Sequence, residues 1–247
     1  MKRILIALSL LMLPLESVLA ATPPQILRLT LPFQGPAALG VLDARPDVLS
    51  GDRKETFVGL SRSLYGIPYP AYTKSKQPLV QDLSNLVSRA LKLGGTPVKV
   101  VSPSPFKHRE GALKDLQATG AERLILIEVR DWWTDTLIHT DLHYDLLLTV
   151  FNAQGQELGS STLTGHDELG KRQRPERRDE MTAANDIFTT LFTDTSVTAA
   201  FSSDAQPTAK KASCTVDQIV KMKEAGLSKE QIEAACGGGE SNVPPNW

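Results

Sequence analysis

The apolar run at residues 123–129 constrains the fold of this chain more than any other feature. The run has the sequence RLILIEV, in which apolar side chains follow one another without the alternation of a half-exposed strand. A continuous apolar run of this length is typical of a strand in the interior of a sheet. We therefore predict that 123–129 is a central strand.

The periodicity of the flanking segments predicts the other elements. Apolar residues recur at three- and four-residue spacing over 79–93, which predicts an amphipathic helix that ends at Gly94 and Gly95. Prolines and glycines interrupt residues 44–78, so a loop is expected there. We expect further strands at 26–31, 38–43, 97–101, 137–151 and 157–164, and further helices at 109–119 and 179–200. This order predicts an α/β (α+β) fold, a mixed sheet with helices packed on it.

The first twenty residues have the three parts of a cleavable secretory signal. Lys2 and Arg3 precede an apolar stretch at 4–15, and Val18 to Ala20 supply the residues that a signal peptidase recognises. The stretch is shorter than the ~20 residues of a membrane-spanning helix, although an uncleaved anchor remains the alternative. Because no cysteine follows the stretch, we expect cleavage after Ala20 and a soluble periplasmic protein rather than a lipoprotein.

The charge of the chain is almost balanced, with 27 lysines and arginines against 28 aspartates and glutamates. This balance argues against bulk electrostatic binding to nucleic acid. The composition changes along the chain and predicts the following divisions: a signal peptide at 1–20, a globular α/β domain at 21–200, a linker at 201–213, a helical hairpin at 214–236 and a flexible tail at 237–247.

Cys214 and Cys236, the two cysteines of the chain, flank the two short helices of the predicted hairpin. In an oxidising compartment such a pair is expected to form a disulfide. A bond that closes a loop of this size stabilises the folded state by about 3 kcal/mol in the chain-entropy model. The alternatives are a redox-active pair and a metal site, but the chain has neither a C-x-x-C motif nor a third ligand nearby.

The hairpin at 214–236 carries a recognisable pattern: Ile219, Met222, Gly226, Leu227, Ser228, Glu230 and Ile232. This pattern resembles the short C-terminal domains called SHOCT, in which an aliphatic helix is followed by Gly, a hydrophobic residue, Ser or Thr and an acidic second helix. The resemblance implies a role in oligomerisation. The flanking cysteines are not part of the usual pattern.

His139, Asp141, His143 and Asp145 alternate along a predicted strand and so lie on one of its faces. Imidazoles and carboxylates on one face can hold a divalent metal ion. The alternative is that this face is the solvated side of the sheet, with the intervening residues, Ile138 among them, facing the core. His166 is expected to be isolated in a polar turn.

Trp132 and Trp133, with Asp131 and Asp135 beside them, form a candidate stacking platform for a glycan such as a peptidoglycan fragment. Adjacent strand residues point to opposite faces of a sheet. At most one of the two tryptophans can therefore serve, and we expect the other one in the core.

Basic side chains mark two candidate interaction surfaces. One is the loop 44–78 with Arg45, Arg53 and Arg62, and the other is the run KRQRPERR at 171–178. Arginine clusters can hold an anionic lipid, the phosphates of lipopolysaccharide or an acidic partner. The alternative is a loop that is merely solvated.

A longer pattern combines VLDAR at 41–45, VGLSR at 58–62, a helix that ends in Gly94-Gly95 and a strand at 98–101. Through it the stretch 38–165 resembles the YajG-type envelope lipoproteins, which carry an Asp-x-Arg after the first core strand and a Val-Gly-x-x-Arg loop. The resemblance implies an α/β domain with an accessory role in the envelope and no established enzymatic activity. This chain departs from the family in lacking the lipidated cysteine and in having the hairpin.

Together these features predict a non-enzymatic periplasmic accessory or scaffold protein of the bacterial cell envelope, with no cofactor. Its partner is expected to be another envelope protein or, through 214–236, a second copy of itself. One alternative is a module that binds a glycan or a lipid. Another is a metal-dependent enzyme at His139 and His143, although the chain has no G-x-S-x-G motif and no plausible Cys–His pair.

Overall fold

The computed structural model describes residues 26–102, 108–171, 180–202 and 221–223, with Ala205 and Pro207. Several sequence predictions fall wholly or mostly outside the described residues: the signal peptide at 1–20, the basic run after Lys171, the linker at 201–213, the hairpin at 214–236, the disulfide between Cys214 and Cys236, and the tail at 237–247.

The described part of the chain has the mixed α+β fold that the sequence predicts. Its elements in chain order are β1 (Ala37–Asp43), α1 (Pro46–Leu49), β2 (Phe57–Arg62), β3 (Pro68–Tyr72), α2 (Leu79–Leu93), β4 (Val98–Val101), α3 (Arg109–Gln117), β5 (Arg123–Thr136), β6 (His139–Asn152), β7 (Glu157–Lys171), α4 (Glu180–Thr193) and α5 (Thr195–Ala200).

The predicted central strand, β5, organises a seven-stranded sheet. On one side, β1 runs parallel to its first half and β2 runs parallel to its last three residues. On the other side, β6 pairs antiparallel along nearly its whole length, and β7 pairs with β6. The register shifts between Val129 and Asp131, where β5 exchanges β1 for β2 as its neighbour. A shift of this kind, a β-bulge, re-aims the side chains that follow it.

One face of the sheet is covered by α2, α4 and α5 and holds the main core. Its buried side chains include Ile125 and Ile127 of β5, Leu146 of β6 and Phe188 of α4. Helix α2 begins and ends where its apolar stripe predicted. The helix predicted at 179–200 is interrupted at Asp194, whose carboxylate accepts a hydrogen bond from the Ser196 amide (2.8 Å) and so caps α5.

On the other face of the sheet, α3 covers the first half of β5. Ala112 and Leu116 of α3 pack there on Leu124 and Leu126 of β5. Arg109, at the start of α3, pairs with Glu128 where the covered half ends. Beyond Glu128 on this face, the side chains of the second half of β5, the first half of β6 and the last half of β7 are half-buried or exposed, and the short α1 borders them beside Asp131 and Trp133.

Two sequence predictions of secondary structure were wrong. Residues 26–31 form no strand; Leu27 and Leu29 are buried in the main core, and the Leu29 amide donates to the carbonyl of Ala90 in α2 (3.1 Å). Residues 44–78 are not one loop, since they contain α1 and the β2–β3 hairpin. Prolines are tolerated in β3 because it is an edge strand, whose outward positions need no hydrogen-bond donor.

Candidate functional site

The Asp-x-Arg motif forms a buried ion pair at the end of β1. Asp43 and Arg45 are each 2% exposed. The guanidinium donates from Nε to Oδ1 (2.8 Å) and from Nη2 to Oδ2 (2.7 Å) of Asp43. Its remaining donors reach the carbonyls of Phe57 (2.6 Å) and Glu55 (3.1 Å). Arg45 therefore holds the start of β2 against β1. Arg45 was expected on an exposed interaction surface, but its guanidinium is buried between β1 and β2.

Arg62 forms a second ion pair, at the end of β2. Its guanidinium donates from Nε to Oδ1 and from Nη2 to Oδ2 of Asp135 on β5, each at 2.7 Å. These hydrogen bonds hold the pKa of Asp135 below its ordinary value. Gly59 makes the close approach of the two strands possible, since a Cβ there would lie 2.2 Å from the carbonyl oxygen of Thr134. The half-buried Arg62 therefore joins β2 to β5.

The two tryptophans point to opposite faces of β5. Trp132 is 2% exposed and lies in the main core, whereas Trp133 lies on the uncovered face. The Trp133 ring stacks on His143 of β6, with ring centroids 4.5 Å apart and planes inclined by 9°. His143 in turn stacks on His166 of β7 at 4.6 Å. The three rings are cross-strand partners, so the sheet register itself sets this row.

Acidic side chains flank the row of rings on both sides, and we call this surface the open face. It consists of Asp131, Trp133 and Asp135 of β5, Asp141, His143 and Asp145 of β6, and Thr164, His166 and Glu168 of β7. Because each strand contributes carboxylates next to its ring, the open face is acidic.

The carboxylates of the open face have different environments. Burial raises the pKa of Asp131, and hydrogen bonds from the Trp132 amide and the Trp133 indole oppose this rise. Asp145 accepts a hydrogen bond from the Thr164 hydroxyl at 3.0 Å. Asp141 lies 3.4 Å from Nε2 of His166. The surface therefore combines acidic groups with partners that hold them in defined positions.

The metal candidates lie on one face, as their alternation predicted, but they do not converge. His139 contacts Glu168 (Nδ1 to Oε1, 2.5 Å), Asp141 turns to His166, and His143 is stacked between two rings. Among the described residues, no three His, Cys, Asp or Glu side chains are arranged to hold a metal ion. Ile138, expected to face the core, is 62% exposed because it lies in the β5–β6 turn.

An open cleft of about 510 Å³ adjoins the open face where β5 passes α1 and β2. Trp133 and Phe57 give it aromatic walls, and the Arg53 guanidinium lies over the Phe57 ring at 4.5 Å from its centroid. The charged residues of its lining are Asp47, Arg53, Arg130 and Asp131. Aromatic rings next to acidic and basic side chains are suited to binding a polar chain by stacking and hydrogen bonds.

Sequence reasoning found some of these residues and missed others. Arg53 and Trp133 do line one cleft. His166 was expected in a polar turn, but β7 continues to Lys171 and carries His166 onto the open face. Asp47 and Arg130 were missed, because no short-range pattern indicates that α1 packs beside the bulge of β5.

No family model and no curated protein matches this chain. Solved structures with similar folds include protein XCC0632 from Xanthomonas campestris, of the family DUF330, at 16% identity and a TM-score of 0.43, covering 70% of this chain and 92% of that one. A PelC dodecamer from Paraburkholderia phytofirmans has 10% identity and a TM-score of 0.37, covering 66% and 90%. Lipoprotein GNA1162 from Neisseria meningitidis has 12% identity and a TM-score of 0.33, covering 62% and 92%.

At these identities and TM-scores the likenesses carry no argument about function. The resemblances to YajG-type and SHOCT proteins stay predictions, since no family model matches. Within the described ranges, no helix is long and apolar enough to cross a bilayer.

Proposed function

We propose that this chain is an exported accessory protein of a bacterial envelope, which acts by binding a protein partner and catalyses no reaction. The N-terminal pattern of 1–20 supports export to the periplasm. The open face and its cleft support binding, because they present rings and charged side chains that are half-buried or exposed.

The observation that carries this proposal is the row Trp133, His143 and His166 with its flanking carboxylates. Cross-strand register fixes the positions of the three rings, so the surface is pre-organised. The surrounding acidic groups favour a partner segment that carries basic side chains. Charge complementarity of this kind raises association rates and fixes the register of a complex.

A quantitative pull-down from envelope extracts tests the proposal. We expect Trp133→Ala to lower capture of the partner by about tenfold or more, the loss typical of an aromatic side chain at the centre of an interface. Asp141→Asn combined with Asp145→Asn should also lower it. Arg89→Ala, at an exposed position on α2, serves as the control and should leave capture unchanged. Equal capture by all variants, with unchanged melting temperatures, would contradict the proposal.

Glycan binding is the second candidate, and the position of Trp133 in the cleft favours it. One face of the indole is occupied by His143, while the ring also lines a cleft with arginines and carboxylates. Sugar rings bind to such combinations by stacking and by hydrogen bonds to polar side chains. If muropeptides quench tryptophan fluorescence of the natural chain but not of Trp133→Ala, while protein capture is the same for both, this second function replaces the first.

We propose further that the segment 214–236 contributes self-association or docking, as its sequence pattern predicts. The full chain and a chain that ends at residue 213 can be compared by light scattering and by the same pull-down. Loss of self-association or of partners on truncation supports this role. Identical mass and identical partners contradict it.

A further inference from the structure

Exposed apolar side chains gather at one end of the sheet, outside the open face and its cleft. We call them the apolar end: Leu64, Tyr65, Ile67, Leu137 and Ile138. Leu64 is 97% exposed and Tyr65 92% exposed, and Ile138 is 62% exposed. A single large apolar side chain in water is common on protein surfaces. A cluster of such side chains is typical of an interaction site.

The topology of the sheet brings these residues together. Strands β2 and β5 run parallel, and Ser61 is the register partner of Thr136. The β2–β3 turn at 63–67 therefore lies beside the β5–β6 turn at 137–138. The last residue of β7, Lys171, pairs with His139 and reaches the same end.

In both turns, backbone amides form hydrogen bonds within the turn. In the β2–β3 turn, the Gly66 amide donates to the Ser63 carbonyl and the Ser63 amide donates to the Ile67 carbonyl, each at 2.9 Å. The Ser63 hydroxyl oxygen accepts from the amides of Tyr65 (3.3 Å) and Ile67 (3.2 Å). In the β5–β6 turn the Leu137 amide donates to the His139 carbonyl at 3.1 Å. A turn that enters a medium poor in water needs hydrogen bonds within the protein for its backbone polar groups.

The charges near the apolar end favour an anionic surface. The carboxylate of Asp135 is paired with Arg62, and that of Glu168 contacts His139. Strand β7 ends at Lys171, and the sequence of residues 171–178 holds five basic residues against one acidic residue. A polybasic run that follows a membrane contact in the chain is attracted to anionic headgroups.

We propose that the apolar end docks on a bilayer that contains anionic phospholipid. Leu64, Ile67 and Ile138 enter the interfacial region, and Tyr65 lies at the headgroup level, where tyrosine is enriched in membrane proteins. The two turns lie side by side and present aliphatic side chains together with a tyrosine, the combination that lies in a membrane interface. This contact is independent of the open face, so the chain can hold a partner while it is on the membrane.

Vesicle flotation of the chain without residues 1–20 tests this inference. We expect binding to vesicles of phosphatidylethanolamine and phosphatidylglycerol, weaker binding in high salt, and weaker binding to pure phosphatidylcholine. The double variant Leu64→Ser with Tyr65→Ser should partition about tenfold less or lower still. Because both side chains are almost fully exposed, its melting temperature should match that of the natural chain.

Leu93→Ser is the matched control, since Leu93 is 42% exposed at the end of α2, which leads into the start of β4 at the opposite end of the sheet. It should bind vesicles like the natural chain. The inference is overturned if the natural chain does not float with anionic vesicles, or if the double variant and Leu93→Ser bind equally well. It is also overturned if the double variant loses a protein partner but keeps its affinity for vesicles.

Discussion

At the scale of single residues, arginines with similar sequence surroundings have different roles. Arg45 is buried and satisfies backbone carbonyls, Arg62 is tied to Asp135, and Arg53 lies over Phe57 at the cleft. Sequence alone placed all three in one basic loop. Burial separates them, and burial depends on tertiary contacts that short-range patterns do not contain.

Arg45→Ala should destabilise the fold by about 3–5 kcal/mol, because it leaves the Asp43 carboxylate buried without its partner. Urea denaturation measures the loss. Arg53→Ala is the control and should cost less than about 1 kcal/mol, since its guanidinium is exposed and gives up only a cation–π contact. Similar losses in the two variants would contradict the structural role of Arg45.

Asp135 should titrate at lower pH than Asp131, because the hydrogen bonds from Arg62 lower the pKa of Asp135 while burial raises that of Asp131. Carboxyl carbon titration by NMR measures both. Arg62→Gln should raise the pKa of Asp135, and Trp133→Phe, which removes the indole donor, should raise that of Asp131 further. An unchanged Asp135 titration in Arg62→Gln would refute the pairing in solution.

The Arg62–Asp135 pair also predicts a pH dependence of stability. A carboxyl group whose folded-state pKa is lowered stabilises the fold above its unfolded value of about 3.9 and loses this contribution as pH falls through the folded value. Asp135→Asn should therefore be less stable than the natural chain at pH 7. The difference should shrink from about pH 4 downwards, which thermal melts at several pH values can follow.

At the scale of elements, local sequence patterns predicted the helices and strands whose buried residues recur at regular spacing. The apolar stripe of α2 predicted the bounds of that helix, and the apolar run at 123–129 predicted the central strand of the sheet. The second half of β5 was missed because the bulge after Val129 shifts the alternation, so that Asp131, Trp133 and Asp135 turn to the open face. The same shift creates the candidate site, and it follows from pairing with β6 and β2 rather than from local sequence.

Gly59→Ala should weaken the attachment of β2 to β5. Its φ of +146° disfavours any side chain, and the added Cβ would meet the Thr134 backbone. Gly51→Ala is a matched control, because Gly51 also has a positive φ (+84°) but no atom lies within 4 Å of the added Cβ. We expect Gly51→Ala to cost about 1–2 kcal/mol and Gly59→Ala to cost clearly more, as measured by denaturant unfolding. Equal costs would contradict the close packing of these strands.

At the scale of the whole molecule, the chain separates its surfaces by chemistry. The open face is acidic, the apolar end is uncharged at its turn tips, and the segment after Lys171 is basic. The overall charge conceals this division because the numbers of acidic and basic residues nearly cancel. A near-neutral composition argues against bulk electrostatic binding to nucleic acid, but it does not indicate which surface is acidic, apolar or basic.

The predicted disulfide joins the ends of the segment 214–236. Protein isolated from the periplasm should gain the mass of two hydrogen atoms on reduction, and Cys214→Ser with Cys236→Ser should abolish this gain. We also expect that double variant to self-associate less, because the open segment lacks about 3 kcal/mol of stabilisation. Free thiols in the isolated protein would contradict the prediction.

Site-specific photocrosslinking in cells tests the central claim, that the open face binds a protein partner, most directly. A photoreactive amino acid at position 166, at the end of the ring row, should give one discrete protein adduct, whereas the same group at position 89 on α2 should give none. Asp141→Asn with Asp145→Asn should weaken the adduct. No adduct at 166, or the same adducts at both positions, would contradict the account.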